Sequence, residues 1–320
     1  MAIGIDPTVD FAFKRLLGSP EHSRITVHFL NAVLGGSPRI ADVTILNPFL
    51  EKDFEQDKLS VLDVLATDEH GRRLNVEMQT SLPTGIQQRL TYYAACLYVE
   101  QLTEGQDYPA LRPAISICVL DATMFPGLTD LHLDFRLRDC RHGETLTDDL
   151  QIHTIELPKY NGPADNEMIS DPLDEWLYFL RFASISTAEE LTARLADQEF
   201  TEATGVLEMI AKTPTQRMLY EARLKFQRDE RARLTYAEQK GREEGREEGR
   251  EEGREEGREE GREEGREEGR EEGEQIGRIR LLQQLLGMSE SSREQLAQMD
   301  LSALAAMAAD LQTQLRSRES

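Results

Sequence analysis

Cysteine, tryptophan and long apolar runs are all scarce in this chain of 320 residues. The cysteines, Cys96, Cys118 and Cys140, are too few and too far apart for a disulfide framework or a zinc site, so we expect reduced thiols in or near the core. No apolar stretch approaches the ~20 residues of a membrane span, and no signal-peptide pattern is present. These absences favour a cytoplasmic protein without a membrane partner.

Basic residues are also few compared with acidic ones. The chain has 37 Lys and Arg against 60 Asp and Glu, a formal net charge of −23, which argues against broad nonspecific attraction to nucleic acid. The imbalance is uneven, because residues 241–272 hold eight Arg and sixteen Glu, whereas the first 120 residues hold ten basic and fifteen acidic residues. Local contacts to a phosphate backbone therefore remain open to the basic residues of this first part, which include Lys14, Arg15, Lys58, Arg72, Arg73 and Arg89.

The order of predicted elements is that of a mixed α/β core. The elements are helices over 8–35, a hairpin over 58–80, a helix over 85–104, strands over 114–120, 131–138 and 152–157, and helices from Asp171 through 240. Thr8 is a candidate cap for the first helix. The continuous apolar run 114–120 is typical of a buried central strand. Trp176, the single tryptophan, is expected to anchor its helix to the core.

The predicted hairpin carries polar residues at strand positions. Side chains alternate along a strand, so Glu77 and Gln79 share one face. Asp63, on the first strand, joins that face only if the register pairs it with Glu77, which requires an odd number of loop residues. The loop 69–71 satisfies this condition, with Gly71 in the left-handed conformation that such loops favour.

Paired in this way, Asp63 and Glu77 would have Cβ atoms about 4.5–5.5 Å apart. Two carboxylates so close repel each other unless a cation lies between them, and a hard divalent ion such as Mg²⁺ suits oxygen ligands of this kind. The pattern therefore indicates a metal site suited to phosphodiester cleavage. A half-exposed hairpin with polar residues on its solvated face explains the same pattern, and both interpretations stay open.

Residues 241–272 are eight copies of Gly-Arg-Glu-Glu. Glu-to-Arg pairs three residues apart favour a helix weakly, whereas each glycine costs about 1 kcal/mol relative to alanine. The absence of an apolar seam excludes a conventional coiled coil over this repeat. A solvated helix and a disordered linker are both open, and either would set the reach of a C-terminal module.

The tail, residues 274–320, is predicted to be helical and amphipathic. Gly287 closes its first helix, and Ser291 with Glu294 resembles a capping box for a second. A segment of this length has too small an apolar core for a stable independent fold. We therefore expect its apolar stripe to form a homo-oligomer or partner surface, or to dock on the preceding domain. The stripe consists of Ile276, Ile279, Leu282, Leu286, Leu301, Leu304, Met307, Leu311 and Leu315.

Short segments spread over residues 6–240 form a recognisable series. They are Val9-Asp10-Phe11-Ala12-Phe13-Lys14, Ser60-Val61-Leu62-Asp63-Val64, Asn75-Val76-Glu77-Met78-Gln79, Arg89-Leu90-Thr91-Tyr92-Tyr93-Ala94, Gly105-Gln106-Asp107-Tyr108, Ile155-Glu156-Leu157-Pro158-Lys159 and Trp176-Leu177-Tyr178-Phe179-Leu180. This series resembles the PD-(D/E)XK nuclease family transposases, also called recombination-promoting nucleases. Glycine- and glutamate-rich repeats before a small helical tail are also typical of that group.

The resemblance implies a restriction-endonuclease-like α/β fold with a mixed sheet core flanked by helices. The implied domains are the nuclease core, residues 1–165; a helical extension packed on the core, 166–240; the repeat, 241–273; and the C-terminal amphipathic helical module, 274–320.

The resemblance further implies a Mg²⁺-dependent DNA endonuclease, with Mn²⁺ as a substitute ion, acting in recombination or mobile-element biology. Asp63 and Glu77 would hold the metal, with the Met78 carbonyl as a candidate third ligand. Asp10 is the candidate for an additional acid near the metal, although a carboxylate there also suits the N-terminal dipole of its helix.

Gln79 departs from the broader superfamily, which has lysine at this position. A lysine can carry positive charge toward the transition state, whereas a neutral amide can only orient the attacking water. Either a nearby cation compensates, with Lys58 as the candidate, or the rate is low. Arg89 is a candidate phosphate contact or, alternatively, a structural ion pair. The alternative function is a non-catalytic DNA- or partner-binding protein that keeps the fold and oligomerises through its tail.

Overall fold

The structure, a computed structural model, describes residues 1–35, 38–47, 63–102, 105, 107–163 and 168–318. Within them the chain divides into two compact units, Met1–Leu234 and Thr235–Ser320. The predicted start of the hairpin, residues 58–62, lies outside the described residues, and so does Lys58.

The first unit is built on a mixed sheet flanked by helices, as expected. Its strands are β1 Val43–Ile45, β2 Val64–Asp68, β3 Arg73–Gln79, β4 Ala114–Leu120, β5 His132–Arg138 and β6 Thr145–Glu156. They lie in the order β1-β2-β3-β4-β6-β5. Strands β3, β4 and β6 are parallel neighbours, whereas β1 with β2, β2 with β3 and β5 with β6 are antiparallel. Every residue of β4 is buried, which confirms the prediction of a central strand.

Two strand predictions differ from the structure. Strand β1 was not predicted, because its three residues are too short to display a period. Strand β6 begins at Thr145 rather than at residue 152. Its first half, in the β5–β6 hairpin, is mainly polar and contains no buried residue, so it lacks the apolar signal that marks the second half.

The helices of the first unit cover both faces of the sheet. They are α1 Asp10–Leu17, α2 Ser23–Leu34, α3 Ile86–Val99, α4 Pro172–Phe182, α5 Ala188–Arg194 and α6 Gln198–Lys212, followed by the start of α7, Pro214–Leu285. Helix α4 begins as predicted, because the Asp171 side chain accepts hydrogen bonds from its first-turn amides. Trp176 is 1% exposed and donates its ring N–H to Nδ1 of His28 at 2.9 Å.

Two local predictions were wrong. Thr8 does not cap α1; its hydroxyl donates to the Asp6 carboxylate at 2.7 Å, and Val9 occupies the cap position. Cys140 is exposed in the turn between β5 and β6 rather than near the core, whereas Cys118 is buried as expected. All the cysteines are free thiols.

The hairpin of β2 and β3 has the predicted register. Val64 pairs with Val76, and the pairing runs to Thr67 opposite Arg73. The loop contains Gly71 at a φ of 80°, the left-handed conformation that favours glycine. This register is the one that aligns Asp63 with Glu77.

The second unit contains the repeat and the tail. The repeat lies within α7, and the tail adds α8, Arg293–Leu296, and α9, Leu301–Arg318. Most of the predicted apolar stripe packs inside this unit, where α7, α8 and α9 form one buried cluster. The capping box lies one residue later than predicted. Ser292 and Gln295 form it, whereas the Ser291 hydroxyl accepts a hydrogen bond from Gln283. No helix in the described ranges is both long enough and apolar enough to cross a membrane.

Candidate active site

Glu77 is a deeply buried carboxylate on the face of the sheet that α3 covers. It is 1% exposed and lies in the middle of β3, next to Cys118 of β4. Continuing the hairpin register by one residue places Asp63 directly opposite it. Asp63 precedes β2, and its carboxylate accepts a hydrogen bond from the Met78 amide at 2.8 Å. The hairpin therefore brings both predicted acids together.

Three cationic or amide groups surround the Glu77 carboxylate. Asn75 donates to Oε1 at 3.3 Å, and Gln79 donates to Oε2 at 3.4 Å. The Arg89 guanidinium on α3 lies 3.6 Å from Oε2 and also stacks over the Tyr93 ring at 5.4 Å. In this structure Arg89 therefore makes an ion pair with Glu77, which is one of the two roles predicted for it.

Burial and mutual repulsion disfavour the charged forms of the two acids. Burial, followed by the negative charge of Asp63, raises the pKa of Glu77 to about 7. Burial and the charge of Asp10 likewise raise the pKa of Asp63. Because the anionic forms of these carboxylates are destabilised, binding a cation beside them is electrostatically favourable.

Lys14 is a further site residue, which the sequence marks only as one of several basic residues. Its ammonium lies 2.9 Å from Asp10 and 3.3 Å from Asp63, with a side chain only 11% exposed. Burial opposes its charge, but the two carboxylates outweigh this and raise the pKa of Lys14. The four-residue spacing of Asp10 and Lys14 puts both on one side of α1. No local sequence pattern, however, predicts that α1 packs beside the hairpin.

Asp10 thereby joins the site through Lys14. Its second oxygen lies 3.8 Å from Nε of Arg223 on α7. The structure thus gathers Asp10, Asp63, Glu77, Met78, Gln79 and Arg89 around one end of the β2–β3 hairpin.

The donor set fits a hard divalent cation. No three His, Cys, Asp or Glu side chains are grouped as a metal site within the described residues. Mg²⁺ does not need such a group, because proteins commonly hold it with one or two carboxylates and several waters. Oδ1 of the fully buried Asn75 has no hydrogen-bond partner in the described part of the chain. That oxygen is suited to a metal-bound water beside Glu77.

A mixed sheet flanked by helices, with paired acids at the end of a hairpin, is consistent with a PD-(D/E)XK nuclease fold. The chain belongs to the PD-(D/E)XK nuclease family transposases, whose family model matches residues 7–237. This membership confirms the resemblance and indicates a nuclease linked to transposition. No curated protein and no solved structure matches the chain.

The raised pKa of Glu77 predicts a pH-dependent stability. Its pKa rises from 4.5 to about 7 on folding, so the folded state keeps this proton up to a higher pH than the unfolded state does. Between these values the stability of the wild type falls as pH rises, by on the order of 3 kcal/mol in total. We expect Glu77→Gln to raise the melting temperature clearly at pH 8 and little at pH 5, in EDTA. An equal effect at both values, or one matched by the exposed Glu100→Gln, would contradict this.

Proposed function

We propose that this protein is a Mg²⁺-dependent DNA endonuclease that hydrolyses phosphodiester bonds, in keeping with its family's link to transposition. The observation that carries the proposal is the buried, strongly perturbed Glu77 facing Asp63 beside cationic groups. Perturbed acids arranged in this way are typical of functional sites.

In this proposal Asp63 and Glu77 hold the metal ion. The amide and carbonyl of a strand residue face the same neighbouring strand, so the Met78 carbonyl lies on the side where its amide meets Asp63. It is therefore the third protein ligand in the proposal. When bound, Mg²⁺ lowers the pKa of a water and offsets charge on the scissile phosphate.

The remaining residues supply charge and orientation. Gln79, which donates to Glu77, orients the attacking water rather than activating it. Lys14 is our candidate for the positive charge that the superfamily lysine provides, because it contacts Asp63 directly. The Arg89 side chain is 38% exposed, so it would be accessible to a substrate phosphate if a metal ion neutralised the Glu77 carboxylate.

Plasmid cleavage tests the proposed function. Wild-type protein with Mg²⁺ or Mn²⁺ is expected to convert supercoiled plasmid to nicked or linear DNA, and Asp63→Asn is expected to leave it intact. Asp148→Asn is the matched control, because this acid is 71% exposed and lies at the start of β6, away from Asp63.

Two results would contradict the proposal. Equal cleavage by the wild type and Asp63→Asn would assign the activity to another site or to a contaminant. An intact plasmid with every protein and both metals would favour the non-catalytic DNA- or partner-binding function.

Self-association through the tail is a second part of the proposal. Leu281 and Leu285 are 57% and 60% exposed and lie four residues apart, so they share one side of α7. Light scattering is expected to give a homo-oligomer for the wild type and a smaller species for Leu281→Glu with Leu285→Glu. The control is Leu137→Glu in β5, which is expected to leave the mass unchanged. A monomeric wild type at high concentration would refute this part.

A further inference from the structure

A cavity of about 320 Å³ lies between α3 and the strands β5 and β6, on the face of the sheet that carries Glu77. Its size is at the lower end of the range for ligand pockets. Its lining is mainly apolar, with Leu90, Phe125, Phe135 and Ile152 among the lining residues. None of its lining residues is charged. It is therefore suited to a neutral, flat group and not to a phosphate.

Two phenylalanines form the aromatic part of the cavity. The rings of Phe125 and Phe135 have centroids 5.6 Å apart at an angle of 37°. Phe135 is 42% exposed, so part of its side chain is open to solvent. Open aromatic faces are the usual platforms on which nucleic-acid bases stack.

Thr154 gives the cavity a polar group without a partner. This residue lines the cavity and is 2% exposed. Its Oγ1 makes no hydrogen bond within the part of the chain that the structure describes. A ligand that forms a hydrogen bond with this hydroxyl removes the free-energy cost of leaving it buried and unpaired. Gln87, on the α3 side of the lining, adds an amide that can reach a base edge.

The sheet places this cavity beside the candidate metal ligands. Glu77 pairs with Cys118, and Cys118 pairs with Thr154, so these side chains stand in one row across β3, β4 and β6. Neighbouring strands are about 4.8 Å apart, so Thr154 lies roughly 10 Å from Glu77 along the row. That separation suits a phosphate at Glu77 and a base of a nearby nucleotide at Thr154.

We propose that this cavity receives a nucleobase of the DNA substrate, unstacked next to the phosphate that is cut. The inference rests on the proposed function, because it requires DNA at the Glu77 site. A base in the cavity stacks on Phe135 and bonds to Thr154. An unpaired or easily unpaired base enters at lower cost than one in a stable duplex. The protein consequently prefers single-stranded, mismatched or distorted DNA.

DNA binding in EDTA tests this proposal without cleavage. Fluorescence anisotropy compares a single-stranded oligonucleotide with one of equal length in which every base is absent. Wild-type protein is expected to bind the oligonucleotide with bases about tenfold more tightly. Phe135→Ala is expected to lose this preference, and Phe135→Tyr to retain it. Leu137→Ala is the control, because Leu137 is a 46% exposed apolar residue of the same strand and does not line the cavity.

A base preference unchanged by Phe135→Ala would overturn the proposal. So would a change in oligomeric mass with this variant at constant DNA affinity, because the cavity would then cover a second copy of the chain. Absence of binding to either oligonucleotide would overturn this proposal, and plasmid cleavage would then decide the nuclease function separately. Base-dependent binding without metal-dependent cleavage would reject the nuclease function alone.

Discussion

Glu77→Gln is expected to lower the single-turnover rate of Mg²⁺-dependent DNA cleavage by about three orders of magnitude. A bound metal stabilises the charge of such a transition state by several kcal/mol, and each 1.36 kcal/mol corresponds to a factor of ten. Glutamine has nearly the same shape but a single carbonyl oxygen, so the variant should fit the same space in β3 while accepting from only one of Asn75 and Gln79.

The control for this prediction is Glu100→Gln, an exposed acid at the C-terminal end of α3. It should cleave like the wild type. DNA affinity of Glu77→Gln should remain within a few-fold of wild type, because the loss concerns the metal and not the protein surface. A rate reduced less than tenfold would show that Glu77 is not a metal ligand in catalysis.

Lys14→Met is expected to have the second large effect, a loss of stability whose size depends on the metal. Without Lys14, the carboxylates of Asp10 and Asp63 lose the cation that separates them. Removing one partner of a buried ion pair typically costs about 3–5 kcal/mol. In EDTA the variant should therefore melt well below the wild type. Mg²⁺ should restore much of this loss, because the ion supplies the missing positive charge.

Cleavage by Lys14→Met should remain about 100-fold slower even at saturating Mg²⁺, a loss typical of one removed electrostatic group. Lys225→Met, which changes an exposed lysine of α7, is the control for loss of charge alone. Lys14→Arg should keep most of the stability in EDTA. If Mg²⁺ stabilises Lys14→Met no more than the wild type, Lys14 and the metal do not share the same carboxylates.

The sequence predicted the pair at the centre of the candidate site but not its surroundings. The position of Asp63 opposite Glu77 follows from the two-residue period of strands and the length of one loop, which are local properties. The contact between Lys14 and Asp63 joins residues far apart in the sequence and depends on how α1 packs. No periodicity encodes that packing. Thr154 could not be identified for the same reason, because its row with Glu77 requires the strand order β3-β4-β6.

Direct metal binding tests the central claim, that Asp63 and Glu77 form a divalent-cation site. Electron paramagnetic resonance of free Mn²⁺ would compare the wild type with the double variant Asp63→Asn, Glu77→Gln. Any weak Mn²⁺ binding by the sixteen glutamates of residues 241–272 is common to both proteins, so the difference between the two titrations isolates the site. We predict one additional tight equivalent per chain for the wild type, displaced by excess Mg²⁺. Identical titrations would contradict the account.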